Sequence, residues 1–262
     1  MKPDSHTLMA IDAGIIAVVS VAICVAADQL LFMSIFMPLI IAARMLLLYA
    51  LRQREEIHFR AELLFFIICT LLGAYNDYSS VCVKGIYDYT VPHAFSWSTI
   101  PLWMLLYWGM ILRTFARFAR WKALKPPDAP SNAIGFTFWH SNNVALKIGF
   151  ALILIFATRH QIYQYYLHPL WSWLPFFLAL LAYLLVCWPT RHDLKLMAIV
   201  LPVGPLMEML YINIGNLHRY HLGVAGGVPI WIILWWLLII LIWKDFALRM
   251  EIGIRCLLAE NR

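Results

Sequence analysis

Charge is what this sequence has least of. Asp, Glu, Lys and Arg make up 13% of its 262 residues, against roughly a quarter in a soluble domain. So few charges on a chain that is 63% hydrophobic exclude a water-soluble fold, whose interior could not hide that much apolar surface. Alternation of period two is also missing, which excludes an outer-membrane type of barrel. The five cysteines (Cys24, Cys69, Cys82, Cys187, Cys256) form no CxxC pair and lie mostly in apolar runs. They read as small buried side chains, and haem and iron–sulfur motifs are absent. No glycine-rich loop that could cradle a phosphate is present, so no nucleotide or other cofactor is implied. The net charge of +6 does not indicate nucleic acid, because the basic residues fall at the ends of apolar runs rather than on one face.

What the sequence does have is long apolar runs, with a mean hydropathy of +0.76. A transmembrane helix needs about 20 apolar residues, and the backbone in hydrocarbon must satisfy its own hydrogen bonds. The runs predict an all-α integral membrane protein of about eight transmembrane helices, near 8–27, 29–52, 61–81, 96–118, 144–162, 170–188, 194–214 and 226–248. The first run follows Met1-Lys2-Pro3-Asp4 with no convincing cleavage site, and is expected to be a retained helix. Twelve Trp, twelve Tyr and fifteen Phe suit interfacial belts and an aromatic interior. With eight spans, both termini and three loops share one side. Only Lys84, Arg159 and Arg219 fall on the other, and the remaining seventeen basic residues fall on the first. That asymmetry predicts a multi-pass protein with both termini cytoplasmic.

The stretch 119–143, with its Pro-Pro and Asn-Asn pairs, is the long polar segment and reads as a cytoplasmic linker between residues 1–118 and 144–262. The two halves match at an offset of 131 residues. Gly73 falls on Gly204, Asp77 on Glu208, Tyr89 on Tyr220, Arg60 on Arg191 and Glu62 on Asp193. After a three-residue loop difference, Ile100-Pro101-Leu102-Trp103 falls on Val228-Pro229-Ile230-Trp231, and Tyr107-Trp108 on Trp235-Trp236. Four helices per half is an even number, so the expectation is two parallel repeats related by an axis along the membrane normal.

Intramembrane carboxylates are costly, about 2.5–3.5 kcal/mol at the bilayer centre, and are functional by default. Asp77 and Glu208 are therefore the candidate catalytic residues. A carboxylic acid kept protonated in an apolar pocket is what proton donation to an alkene requires. The bland alternative is that they cap their helices. Around them lie Tyr87, Tyr89, Tyr211, Asn213 and Tyr220, candidate substrate-binding groups. Trp103 and Trp231 head aromatic stripes whose faces could stabilise a cation, or could simply pack. Asp88 and Arg219 occupy equivalent positions with opposite charge, as do Asp28 and Arg159, and both pairs are expected to be salt bridges between halves. His218 and His221 could share a helix face, but no set of three or four converging ligands is evident, so no metal is expected.

Asp77, the Gly85-Ile86-Tyr87-Asp88-Tyr89 loop and Ile100-Pro101, with Glu208, Tyr220 and Gly227-Val228-Pro229-Ile230-Trp231, resemble the carotenoid-biosynthesis membrane family of the carotenoid 1,2-hydratase type. Lycopene cyclase domains are more distantly similar, and membrane terpene cyclases share an Asn76-Asp77-like pair and an intramembrane Glu. The second copy, Asn216-Leu217-His218-Arg219-Tyr220, lacks the glycine, and no paired carboxylates follow Pro229 as a lycopene cyclase domain would have. What the resemblance implies is proton-initiated hydration or cyclisation of a hydrophobic isoprenoid or other lipid substrate. The rival readings are a small transporter or a substrate-binding membrane subunit, another lipid enzyme using the outward His and acids, and a subunit whose aromatic faces bind partner helices. Oligomeric state is not legible.

Overall fold

The computed structural model describes residues 4–95, 98–125, 144–187 and 189–260. Most of the expected linker, 126–143, lies outside them. Eight α-helices are found among these residues: α1 (His6–Ala26), α2 (Leu30–Ala50), α3 (Phe59–Tyr78), α4 (Leu102–Ala119), α5 (Val144–Tyr165), α6 (Leu174–Cys187), α7 (Arg191–Asn213) and α8 (Ile230–Glu260). The two strands β1 (Tyr87–Tyr89) and β2 (His218–Tyr220) are short.

Local chemistry accounts for the ends. Ser5 caps α1 by accepting a hydrogen bond from Leu8 N at 3.1 Å, and Thr190 with Asp193 forms a reciprocal capping box on α7. Pro101 precedes the first residue of α4, where its missing N–H costs nothing. A π-helical turn, Ser79–Val83, continues α3 toward the loop. Five helices are long and apolar enough to cross a membrane: α1, α2, α3 with its π-helical turn, α7 and α8. Of the other three, α6 spans 14 residues, and α4 carries Arg113 and Arg117 inside its length. α8 is the largest departure from the expected limits, since it runs on to Glu260 rather than stopping at 248. Large apolar side chains such as Val25, Leu31, Leu39 and Phe156 point outward, as helices solvated by lipid require.

Positions 131 apart make matching contacts. A Cβ on Gly73 would meet Trp108 at 2.3 Å, and one on Gly204 would meet Trp236 at 2.8 Å, so each glycine lets its helix close on the next. Ile86 N donates to Ser80 O at 2.9 Å, and Leu217 N donates to Tyr211 O at 2.9 Å. Gly85 and Asn216 both have positive φ, 58° and 43°. Asparagine is one of the few residues that tolerates the left-handed region, so the loop turns the same way without its glycine. β1 and β2 pair antiparallel, with Tyr87 opposite Tyr220, Asp88 opposite Arg219 and Tyr89 opposite His218.

At the other end of the bundle lies a buried ionic network. Arg44 Nε meets Asp12 Oδ1 at 2.8 Å, Arg44 Nη2 meets Glu62 Oε1 at 2.8 Å, and Arg117 Nε meets Asp12 Oδ2 at 2.7 Å. Arg113 bonds Glu62 and reaches Glu251 Oε1 at 3.1 Å, while Arg120 joins Glu251 at 2.7 Å to Asp4 at 2.9 Å. Asp12 and Arg44 are fully buried. The network ties α1, α2, α3, α4 and α8 together with equal numbers of acids and arginines. Counted from the sequence, these arginines are helix-end charges; folded, Arg44, Arg113 and Arg117 are interior groups.

Candidate functional site

The site is built where the two loops meet. Asp77, at the end of α3, is fully buried. Its two carboxyl oxygens each accept one phenolic hydrogen bond, Oδ1 from Tyr87 and Oδ2 from Tyr89, the latter at 2.6 Å. Glu208, one and a half turns before the end of α7, is also buried. Its Oε2 meets His218 Nε2 at 3.0 Å and accepts from Tyr220 Oη at 3.5 Å. Each acid therefore takes its partners from residues ten and twelve positions later in the chain. The spacing works because a strand returns alternate side chains to one face, so Tyr87 and Tyr89, or His218 and Tyr220, point back together at the helix they left.

The four rings then pack on one another. Tyr87 lies 5.2 Å from Tyr220 and 5.7 Å from His218, and His218 lies 5.3 Å from Tyr220 between ring centroids. These separations and tilts are those that aromatic quadrupoles favour. The cluster thus joins Asp77 to Glu208 through a continuous set of rings. Burial, and then the neighbouring carboxylate, pushes the phenols of Tyr87, Tyr89 and Tyr220 well above the ordinary tyrosine range. They remain neutral hydrogen-bond donors.

An apolar cavity of about 130 Å³ opens below the cluster, between α1, α4, α7 and α8. Tyr87, Tyr89, Glu208, Tyr211 and Tyr220 form its upper wall. Both hydrogen bonds to Glu208 go to Oε2, and Glu208 is itself part of the cavity lining. Tyr211 and Tyr107 share a hydroxyl–hydroxyl bond, and Ser20 Oγ from α1 lies 2.8 Å from Tyr211 Oη. The lower wall runs along α4 through Trp108 and Ile111 to Phe115, facing Trp236.

The structure brings together Glu208, Tyr87, Tyr89, Tyr211 and Tyr220, with Asp77 held behind Tyr87 and Tyr89. It does not bring in the other three. Trp103 is buried in the core away from the cavity. Trp231 packs on Phe176 and edge-on against Tyr220. Asn213 is a surface residue that bonds Met209 O and Gly226 O, both at 2.8 Å, and so ties down a loop. His218 and His221 lie on a strand and the turn after it, not on a helix. Asp88 and Arg219 do approach, at 4.0 Å and largely exposed. Arg159 turns to Asn76, Ser79 and Tyr163 on its own side of the bundle, and among the described residues it makes no ion pair with Asp28. The sequence places His218 near the acids and Tyr107 on a stripe that could line a pocket, but not His218 as the partner of Glu208 or Tyr107 as the partner of Tyr211; the ten-and-twelve spacing after each acid is the signal that could have found the first. Among the described residues no three His, Cys, Asp or Glu converge as metal ligands. No protein-family model, curated protein or solved structure matches the chain.

Proposed function

We propose that this protein is a multi-pass membrane enzyme that protonates an alkene of a hydrophobic isoprenoid. The observation that carries the reading is Glu208, a buried carboxyl facing an apolar cavity and coupled through four packed rings to a second buried carboxyl, Asp77. Glu208 in its acid form gives its proton to one carbon of a double bond. A C–H bond forms, the π bond breaks, and the more substituted carbon becomes a cation. The faces of Trp108, Trp236 and Phe115 on the cavity wall offer the electron-rich surfaces such a cation needs. The cation ends in one of two ways. It loses a neighbouring proton to a carboxylate after ring closure, or it captures water, which returns its surplus proton. His218, bonded to Glu208, can reload the acid, and Asp77 takes part only through the hydroxyls of Tyr87 and Tyr89 that cover it. No cofactor enters these steps.

The same reading takes all eight helices as transmembrane, with both termini cytoplasmic and two parallel four-helix repeats, 1–118 and 144–262. Support for the repeats comes from the matched glycine–tryptophan contacts, the two left-handed loop residues and the two acid–loop pairs, all 131 positions apart or nearly so. Support for the orientation is the basic asymmetry of the loops.

The test is mass spectrometry of lipid extracts from an isoprenoid-producing host carrying the wild type, Glu208→Gln or Asp77→Asn at equal membrane levels. A product heavier by one water, or an isomer of unchanged mass, should appear with the wild type and fall at least ~100-fold with Glu208→Gln, the lower end of what a general acid contributes. Identical extracts from all strains would sink the reading and favour a transporter or substrate-binding subunit, to be checked by uptake.

A further inference from the structure

Arg159 lies six residues before the end of α5, on an otherwise apolar helix, and is held entirely by neutral oxygens. Its guanidinium donates to Asn76 Oδ1, to Ser79 Oγ at 2.8 Å, to Ser80 Oγ at 3.3 Å and to Tyr163 Oη. Nε takes part in none of these bonds and is not enclosed. A second cation stands beside it. Lys84 is exposed, and its Nζ lies 5.6 Å from the centre of the Tyr163 ring, while Arg159 Cζ lies 4.8 Å from the same centre. The ring attracts each charge, but the two charges repel one another.

Among the described residues neither cation makes an ion pair. The acids at this end of the bundle are engaged elsewhere. Asp77 is covered by Tyr87 and Tyr89, Glu208 meets His218, and Asp88 lies against Arg219 and His221. At the opposite end the fold does the reverse, giving Arg44, Arg113, Arg117 and Arg120 a carboxylate each. The surroundings of Arg159 also match a lipid rather than a soluble anion. Phe156, one turn earlier on the same face of α5, is exposed, and so is Leu72, one turn before Asn76 on α3. In that region α5 packs on α6 rather than on α3. Positive charge therefore sits directly above apolar surface open to hydrocarbon.

We infer that Arg159 and Lys84 form a binding site for the phosphodiester headgroup of an anionic membrane lipid. The phosphate accepts from Arg159 Nε–H, in the fork that neutral partners have already oriented, and from the Lys84 ammonium on its flexible stem. The acyl chains run along Phe156 and Leu72. Asn76, Ser79 and Ser80 flank Asp77 in the chain, so the bound headgroup clamps α5 to the end of α3 that carries this acid. The inference does not depend on the chemistry proposed for Glu208.

The test follows the Arg159 Nε–H signal of the full chain labelled with ¹⁵N-arginine, assigned by its loss in Arg159→Lys. The protein is held in phosphatidylcholine nanodiscs with increasing phosphatidylglycerol, which should shift the signal saturably. Lys84→Gln should raise the half-saturating fraction about 5-fold, the worth of one basic residue beside an anionic headgroup. Lys84 is exposed, so this variant should fold. Arg54→Gln removes the same charge from an exposed position in the α2–α3 loop and should leave half-saturation unchanged. Inorganic phosphate added to phosphatidylcholine nanodiscs should leave the signal in place. A signal indifferent to phosphatidylglycerol, or a response that Lys84→Gln and Arg54→Gln alter equally, would overturn the inference. A shift as large with inorganic phosphate would overturn the lipid assignment in favour of a soluble phosphate.

Discussion

Asp88 and Arg219 face each other across the antiparallel β1–β2 ladder, and they are 131 residues apart in the chain. The ladder also sets Tyr87 opposite Tyr220 and Tyr89 opposite His218, and Tyr220 and His218 stand 131 positions after Tyr89 and Tyr87. The exposed Asp88–Arg219 pair contributes little energy. Its position is what matters, because it puts the two loops in a register that stacks the four rings between Asp77 and Glu208.

The turn into β2 depends on Asn216 in a left-handed conformation. Asn216→Gly should be tolerated within a few tenths of a kcal/mol. Asn216→Val should lower stability by about 1–2 kcal/mol, the cost of forcing a side chain into that region. Thermal unfolding in detergent separates the two, and equal melting temperatures would refute the role given to this turn.

Gly73 and Gly204 are contact points between consecutive helices. Gly73→Ala should destabilise by about 1–3 kcal/mol through overpacking, and more than Gly204→Ala, because its new carbon meets Trp108 Cβ rather than a ring edge. Gly14→Ala, with nothing within 4 Å, should be neutral or mildly stabilising as a helix-propensity change. The order of the three melting temperatures is the check.

The ionic network should behave as an interior lock. Asp12→Asn or Glu62→Gln strands buried guanidinium charge and should cost about 3–5 kcal/mol, whereas Asp28→Asn on the surface should cost almost nothing. Because the network is buried, the loss should persist in 1 M salt. A loss that salt abolishes would mean that these groups are solvent-screened.

The buried phenols make stability fall at high pH. For Tyr87, Tyr89 and Tyr220 the folded pKa is raised above the unfolded value of about 10. Their contribution is therefore fully present below about pH 10 and is lost as pH rises toward the folded values. Unfolding in detergent between pH 8 and 11.5 should show a flat region and then a decline. Tyr89→Phe should be less stable throughout, through loss of the Asp77 bond, and should decline less steeply. An unchanged slope would show that Tyr89 is accessible and ordinary.

The sequence by itself determined the solvent this protein lives against, because the ratio of apolar to charged residues leaves no aqueous solution. It also determined the helical elements, the 131-residue spacing and the prominence of Asp77 and Glu208, since an acid next to a long apolar run is visible in one dimension. Only the tertiary structure decided which charges were interior. Arg44, Arg113 and Arg117 read as interfacial cations when counted along the chain, and they are buried because α1 and α3 bring Asp12 and Glu62 to them. Burial of a charge depends on partners from other elements, and no local pattern records those. Trp103, Trp231 and Asn213 show the converse. Their residue types suit a site, but helix rotation and loop path turn them to packing and tethering. The cavity is likewise a product of packing, because a wall made by four helices from both ends of the chain has no signature in any one of them.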